Sequence, residues 1–181
     1  MSKLEEKRLS STEYYKNAFL RIHEDEVLLP DQATAKRIVI THVGAVNVIA
    51  LTDQKELLLV RQYRYPLGAT TIETPAGKLD HGLAPMITAK CELEEETGYT
   101  CKSLELIGTF ASAPGFTNEV IHHFFAHDLT KLHTAVPGDD DEFTEVLLVT
   151  KDQAREMIAS GEIVDLKTIY AIQHLTLATL W

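Results

Sequence analysis

Between residues 89 and 100 the chain reads AKCELEEETGYT, which sets Glu92, Glu94, Glu95 and Glu96 within five positions before Gly98. On a helix, residues three and four apart share a face. Glu92, Glu95 and Glu96 then project together, while Leu93 points elsewhere and can anchor the helix. A glutamate-rich helix is ordinarily a solvated face, because Glu is a good helix former. Three features argue for more here. The carboxylates fall near the C-terminal end, where the helix dipole disfavours negative charge. No lysine stands four residues on to relieve them. The segment Pro75-Ala76-Gly77 precedes the helix and would bring backbone carbonyls close. Hard cations such as Mg²⁺ or Mn²⁺ need oxygen ligands, and Mg²⁺ keeps several waters and seeks phosphate oxygens. The chemistry this pattern predicts is metal-assisted attack on a phosphorylated substrate.

The elements that must position these carboxylates can be read from periodicity and punctuation. Pro85 suits a first helical turn and Gly98 the residue past a helix end, so a helix is predicted over 85–97. Strands are predicted over 18–29, 36–43, a hairpin within 45–65, then 70–77, 104–111, 120–126 and 143–149. Helices are predicted over 151–161 and 166–180, the latter with Ile169, Ile172, Leu175 and Ala178 or Thr179 on one face. That stripe is read as core or dimer contact. Many strands, one helix, more strands and then helices give an α+β domain rather than alternating βαβ units.

A chain of 181 residues, 45% hydrophobic and 24% charged, can build one well-cored domain. Its net charge of -10 argues against nonspecific binding to nucleic acid or an anionic membrane, but allows a phosphorylated substrate bridged by metal. No run approaches ~20 apolar residues and the N-terminal MSKLEEKRLSS lacks an apolar signal core, so a cytoplasmic protein is expected. Cys91 and Cys101 have neither zinc-finger spacing nor a disulfide framework and read as free thiols. His122 and His123 are adjacent on a predicted strand, so they face opposite ways and do not read as a metal pair.

Gly77, Glu92, Leu93, Glu95, Glu96, Gly98 and Tyr99 resemble the Nudix box, G-x5-E-x7-R-E-U-x-E-E-x-G-U, over 23 residues. Seven of its nine fixed positions match. RIVITHVGAVNVIAL, LLVRQYRYPLGATTIETPAGKLD, SAPGFTNEVIHHFFAHDL, DDDEFTEVLLVT and DLKTIYAIQHL resemble, in order, segments of the ADP-ribose pyrophosphatase branch of the Nudix hydrolases. The resemblance implies a Nudix-type α/β/α sandwich (residues 44–181) preceded by an N-terminal antiparallel β segment (residues 1–43) that dimerises. It implies metal-dependent hydrolysis of ADP-ribose to AMP and ribose 5-phosphate. Another nucleoside diphosphate derivative as substrate, or a catalytically weak nucleotide sensor, are the alternatives.

Position by position, the resemblance makes Glu92, Glu96 and the Ala76 carbonyl metal ligands, with Glu95 close by and able to join them. It makes Glu142, in an acidic loop late in the chain, the matching catalytic base and Glu119 a further acidic site residue. Arg61, Arg64 and Glu73 resemble positions contacting adenine, ribose or phosphate, and Arg37 an arginine that reaches a neighbouring subunit's site. Two positions depart from the box: Leu83 stands where it has Glu and Cys91 where it has Arg. If those two normally form one ion pair, replacing both by apolar residues is nearly neutral, and Leu83 with Cys91 is expected to act as a packed substitute.

Overall fold

The computed structural model describes residues 3–79, 82–134, 136–138 and 143–181. Three strands open the chain as an antiparallel sheet: β1 (Lys7–Lys16), β2 (Leu20–Leu28) and β3 (Thr34–His42), in the order β1-β2-β3. The second sheet has the order β10-β5-β6, formed by β10 (Glu145–Val149), β5 (Leu57–Arg64) and β6 (Ala69–Glu73). In the third, β7 (Ala76–Lys78), β4 (Ala45–Ala50), β9 (Val120–Lys131) and β8 (Tyr99–Ala111) lie in that order, with β4 and β9 parallel. The helices are α1 (Pro85–Thr97), α2 (Lys151–Ser160) and α3 (Leu166–Leu177).

β4 explains the layering. Its residues alternate faces, and both faces are covered, so it reads as a near-continuous apolar run. Val46, Val48 and Ala50 pack with Ala89 and Leu93 of α1 and with Phe124 and Ala126 of β9. Ile49 points the other way, into a second core with Leu57, Leu59, Ile72, Ala154 of α2 and Ala171, Ile172 and Leu175 of α3. The strands are thus sandwiched between α1 on one side and α2 with α3 on the other, the α+β arrangement expected.

Local chemistry sets the helix ends. α1 starts at Pro85 and stops at Gly98, whose left-handed backbone (φ 69) lets its N–H return to the Glu94 carbonyl. α2 opens on a reciprocal Thr150–Gln153 capping box. At α3 the Asp165 carboxylate accepts from the Thr168 N–H at 2.9 Å. The face of α3 turned inward is Thr168, Ala171, Ile172 and Leu175, with Ile169 packed alongside, while Ala178 and Thr179 fall past its end. Among the described residues no helix is long and apolar enough to cross a membrane.

The N-terminal sheet joins the rest through β3. Ile40 exchanges backbone hydrogen bonds with Phe116 and Asn118, and the His42 N–H donates to the Asn118 side chain at 2.7 Å. All ten residues of β1 are exposed.

Candidate active site

Two glutamates of α1 converge on the segment that starts β7. The Ala76 N–H donates to Glu96 Oε2 at 2.9 Å, and Glu96 is only 7% exposed. The Glu92 carboxylate lies over Gly77 so closely that a Cβ there would fall inside its van der Waals envelope. A carboxylate pair on one helix face and a strand backbone therefore meet where the sequence placed them. Glu95 is half-buried, with Gly138 passing beside its Cβ. Among the described residues no three His, Cys, Asp or Glu side chains already converge on one point. The donors fit a hard cation held by Glu92, Glu96 and the Ala76 carbonyl, whose remaining positions water and phosphate oxygens would fill.

Ala76 and Gly77 open on a cleft of about 670 Å³. Its floor holds a buried ion cluster. Glu73, 3% exposed, receives two hydrogen bonds from Arg64, each 2.8 Å, and an ion pair from Lys167, which also sits 3.0 Å from Asp165. Burial alone would raise the Glu73 carboxyl, but Arg64 and Lys167 hold it down at about 2. The same pairing raises the Arg64 guanidinium above its ordinary value.

At the far wall, Glu119 accepts from the Ser112 hydroxyl at 2.5 Å and lies 3.2 Å from His42. Beside it Phe110, His123 and Tyr170 pack with ring centroids 4.9 to 5.2 Å apart. His123, 3% exposed, has its imidazole pushed down to about 4, by burial first and then by the Lys167 charge.

That shift has a measurable consequence. Between pH 6.5 and about 4 the unfolded chain binds a proton at this histidine that the folded chain refuses. Stability is therefore lost as pH falls through that window, by about 3 kcal/mol in full. Chemical denaturation of wild type and His123→Leu across this range should show the steeper pH slope only in the wild type.

Of the residues proposed from sequence, the structure brings Ala76, Glu92, Glu96, Arg64, Glu73 and Glu119 to this cleft and its rim. Arg61 goes elsewhere. It is three positions from Arg64 on a strand, hence on the opposite face, where it pairs with Glu145 at 2.7 Å. Arg37 is on the N-terminal sheet, paired with Glu6 at 2.7 Å. Glu142 lies outside the described residues. His122 and His123 do face apart: His122 meets Thr109 at 2.9 Å, whereas His123 turns into the cleft.

The expected packing of Leu83 on Cys91 is not found. Leu83 is 45% exposed and belongs to neither core, so it adds no buried packing beneath the helix. Cys91 instead lines a shallow recess with Met86, Ile87 and Cys101. Burial, then the charges of Glu95, Glu94 and Glu92, raise its thiol, so it is not an activated nucleophile. Lys167 and Asp165 are site residues that sequence reasoning passed over. Their signal was the Asp165 cap opening α3, which turns Lys167 toward a buried acid.

Comparison with known proteins identifies the family. Residues 41–169 match the NUDIX domain, and residues 6–40 match the nucleoside diphosphate sugar hydrolase N-terminal domain. The chain is 43% identical over 177 residues to an ADP-ribose pyrophosphatase of Bacillus subtilis (strain 168), covering 98% of this chain and 96% of that one. It is 42% identical over 178 residues to a methanol dehydrogenase activator of Bacillus methanolicus, with the same coverage. A GDP-mannose pyrophosphatase of Salmonella paratyphi B is 36% identical over 73% of this chain and 72% of its own. A solved ADP compounds hydrolase shares the fold, with a TM-score of 0.82 over 97% of both chains at 16% identity. With a domain match across most of its length and full-length relatives above 40% identity, the chain belongs to the NUDIX domain family.

Proposed function

We propose that this protein hydrolyses the pyrophosphate bond of ADP-ribose, giving AMP and ribose 5-phosphate, with Mg²⁺ or Mn²⁺ as cofactor. The observation that carries the reading is the convergence of Glu92 and Glu96 on the Ala76–Gly77 backbone at the mouth of the cleft. The full-length resemblance to an ADP-ribose pyrophosphatase supports the substrate.

When bound, the cation supplies charge neutralisation for the phosphate oxygens of the substrate. The chain's own part is to hold and to deprotonate. Glu92, Glu96 and the Ala76 carbonyl form the oxygen cradle, with Glu95 beside it. Water adds to one phosphorus, the bridging P–O bond breaks, and a carboxylate takes the proton that water releases. We assign that role to Glu142. It is two residues from Thr144, whose hydroxyl donates to the Glu96 carbonyl at 3.3 Å. Glu119 serves as a second acidic group at the far wall, and Arg64 with Glu73 forms the charged floor against which the substrate is oriented.

The N-terminal β segment, residues 1–43, is read as the dimerising part preceding a hydrolase domain of residues 44–181. Leu9, Tyr14, Tyr15 and Ile38 are exposed on it, side chains that a second copy would cover. In that homodimer Arg37 would serve the neighbouring site. Free thiols at Cys91 and Cys101 and a nucleotide substrate both suit the cytoplasm.

The test is AMP release from ADP-ribose with Mg²⁺ or Mn²⁺, beside a panel of other nucleoside diphosphate sugars. Glu96→Gln should keep the acceptor for Ala76 N–H but lose the charge, lowering kcat by about 10³-fold with an unchanged circular dichroism spectrum. No hydrolysis of any panel member by the wild type would end the enzyme reading.

A further inference from the structure

Resting on the proposed hydrolysis, we infer that His123 is a specificity-determining residue: its Nε2–H donates to a hydroxyl of the sugar on the non-nucleotide phosphate, while Phe110 and Tyr170 pack against that sugar's C–H face.

The donor is set by the Asn47 amide, which sits at the end of a hydrogen-bonded row running from Asp165 through Thr168 and Thr74. A carboxylate only accepts, so the Thr168 hydroxyl donates to Asp165 Oδ2 at 2.6 Å. Thr168 Oγ1 in turn accepts from the Thr74 N–H at 2.8 Å. The Thr74 hydroxyl sits 2.5 Å from Asn47 Oδ1, a length for O–H···O rather than N–H···O. The Asn47 amide oxygen therefore faces Thr74, and its nitrogen donates to His123 Nδ1 at 3.1 Å. Nδ1 accepts, so the proton of the neutral ring is on Nε2. Among the described residues Nε2 meets no acceptor, yet it is not enclosed, so it opens on the cleft that the ring lines. Asn47 and Thr74 are fully buried, which makes this orientation rigid.

The surroundings select a polyhydroxylated ring. Phe110 and Ser112 are two apart on one face of the chain leaving β8, and Ile121 and His123 are two apart on β9. Together they set aromatic surface beside the Ser112 hydroxyl and the Glu119 carboxylate. A sugar offers C–H bonds to the rings, hydroxyl donors to Glu119 and a hydroxyl acceptor to Nε2–H. The Phe110 ring lies back over Gly108, where a Cβ would stand 2.5 Å from its Cζ, and 43% of it is still exposed. The position fits as well. Ala76 and His123 are register partners of Asn47 on either side, two strand spacings apart, or about 10 Å. That is the reach of one sugar ring beyond a phosphate held at Ala76.

The test compares binding of α,β-methylene ADP-ribose and of α,β-methylene ADP, which lacks the sugar, by calorimetry with Mg²⁺. His123→Leu should weaken the first about tenfold or more and the second less than about twofold, because an unmet hydroxyl is a discriminating loss. His123→Gln, which keeps an N–H donor, should recover most of the difference. Equal loss for both ligands, no loss for either, no wild-type binding of the sugar ligand, or a glutamine variant as poor as leucine each overturns the inference. Wild-type binding without hydrolysis of any nucleoside diphosphate sugar would instead remove the proposed reaction and leave the His123 comparison to stand on its own.

Discussion

Gly77→Ala should lower kcat for ADP-ribose by about 10²- to 10³-fold while the protein stays folded. A methyl group at this position would occupy the space of the Glu92 carboxylate. The backbone there is tied into β7 and cannot retreat, since Gly77 pairs with Val46 of buried β4. Glu92 is the end of a flexible side chain and can swing away, so the cost falls on the cation cradle rather than on the core. Thermal melts should shift by only a few degrees, roughly what a substitution near ±1 kcal/mol produces in a domain of this size. Affinity for Mn²⁺ should fall along with kcat. A double variant with Glu92→Gln should be little worse than either single, because both changes remove the same ligand. Full activity in Gly77→Ala, or multiplicative losses in the double, would show that Glu92 does not act from over Gly77.

Lys167→Met should be the most destabilising single change at the site, at about 3 kcal/mol and roughly 6–12 °C in Tm. Glu73 is almost completely enclosed and is held ionised by two cations. Removing one strands part of a buried charge, which costs far more than the pair itself contributes. Asp165 also loses a partner at 3.0 Å. The sign with pH follows from the depressed Glu73 carboxyl. Its contribution is present above the ordinary carboxylate range near 4.5 and disappears as pH falls through about 2. In Lys167→Met the folded-state carboxyl rises toward that ordinary value, so the contribution is smaller and is exhausted at a higher pH. Lys167→Met/Glu73→Gln should regain most of the lost stability; a double variant less stable than the single would show that charge burial is not the cause.

What the sequence revealed and concealed divides along physical lines. α1 was legible because its signals are local: Pro85 at the start, Gly98 at the end and glutamates spaced by three and four. The apolar runs of β4 and β5 were legible because buried strands must be apolar on both faces, but the hairpin expected of them does not form: β4 pairs with β7 and β9, and β5 with β6 and β10 in another sheet. β1 was not, since KRLSSTEYYK has no apolar alternation and its residues are held by pairing to β2 rather than by burial. Arg61 looked equivalent to Arg64 until the two-residue period of the strand sent it to the other side. His123 was correctly separated from His122, yet its role was invisible in the sequence. It depends on Asn47, Thr74 and Thr168, which meet only in three dimensions and carry no spacing rule.

The row Ala76–Asn47–His123 also says something about how such a protein can diversify. At the hydrolytic end the strand offers its backbone, an N–H to Glu96 and a glycine beneath Glu92. At the other end β9 offers a side chain. Substitution at position 123 can therefore exchange one preferred sugar for another while the cation cradle, where Glu92 and Glu96 meet the main chain of Ala76 and Gly77 two strands away, is inherited unchanged. Selectivity and catalysis share a mount without sharing parts, which leaves the first open to drift under selection while the second stays fixed.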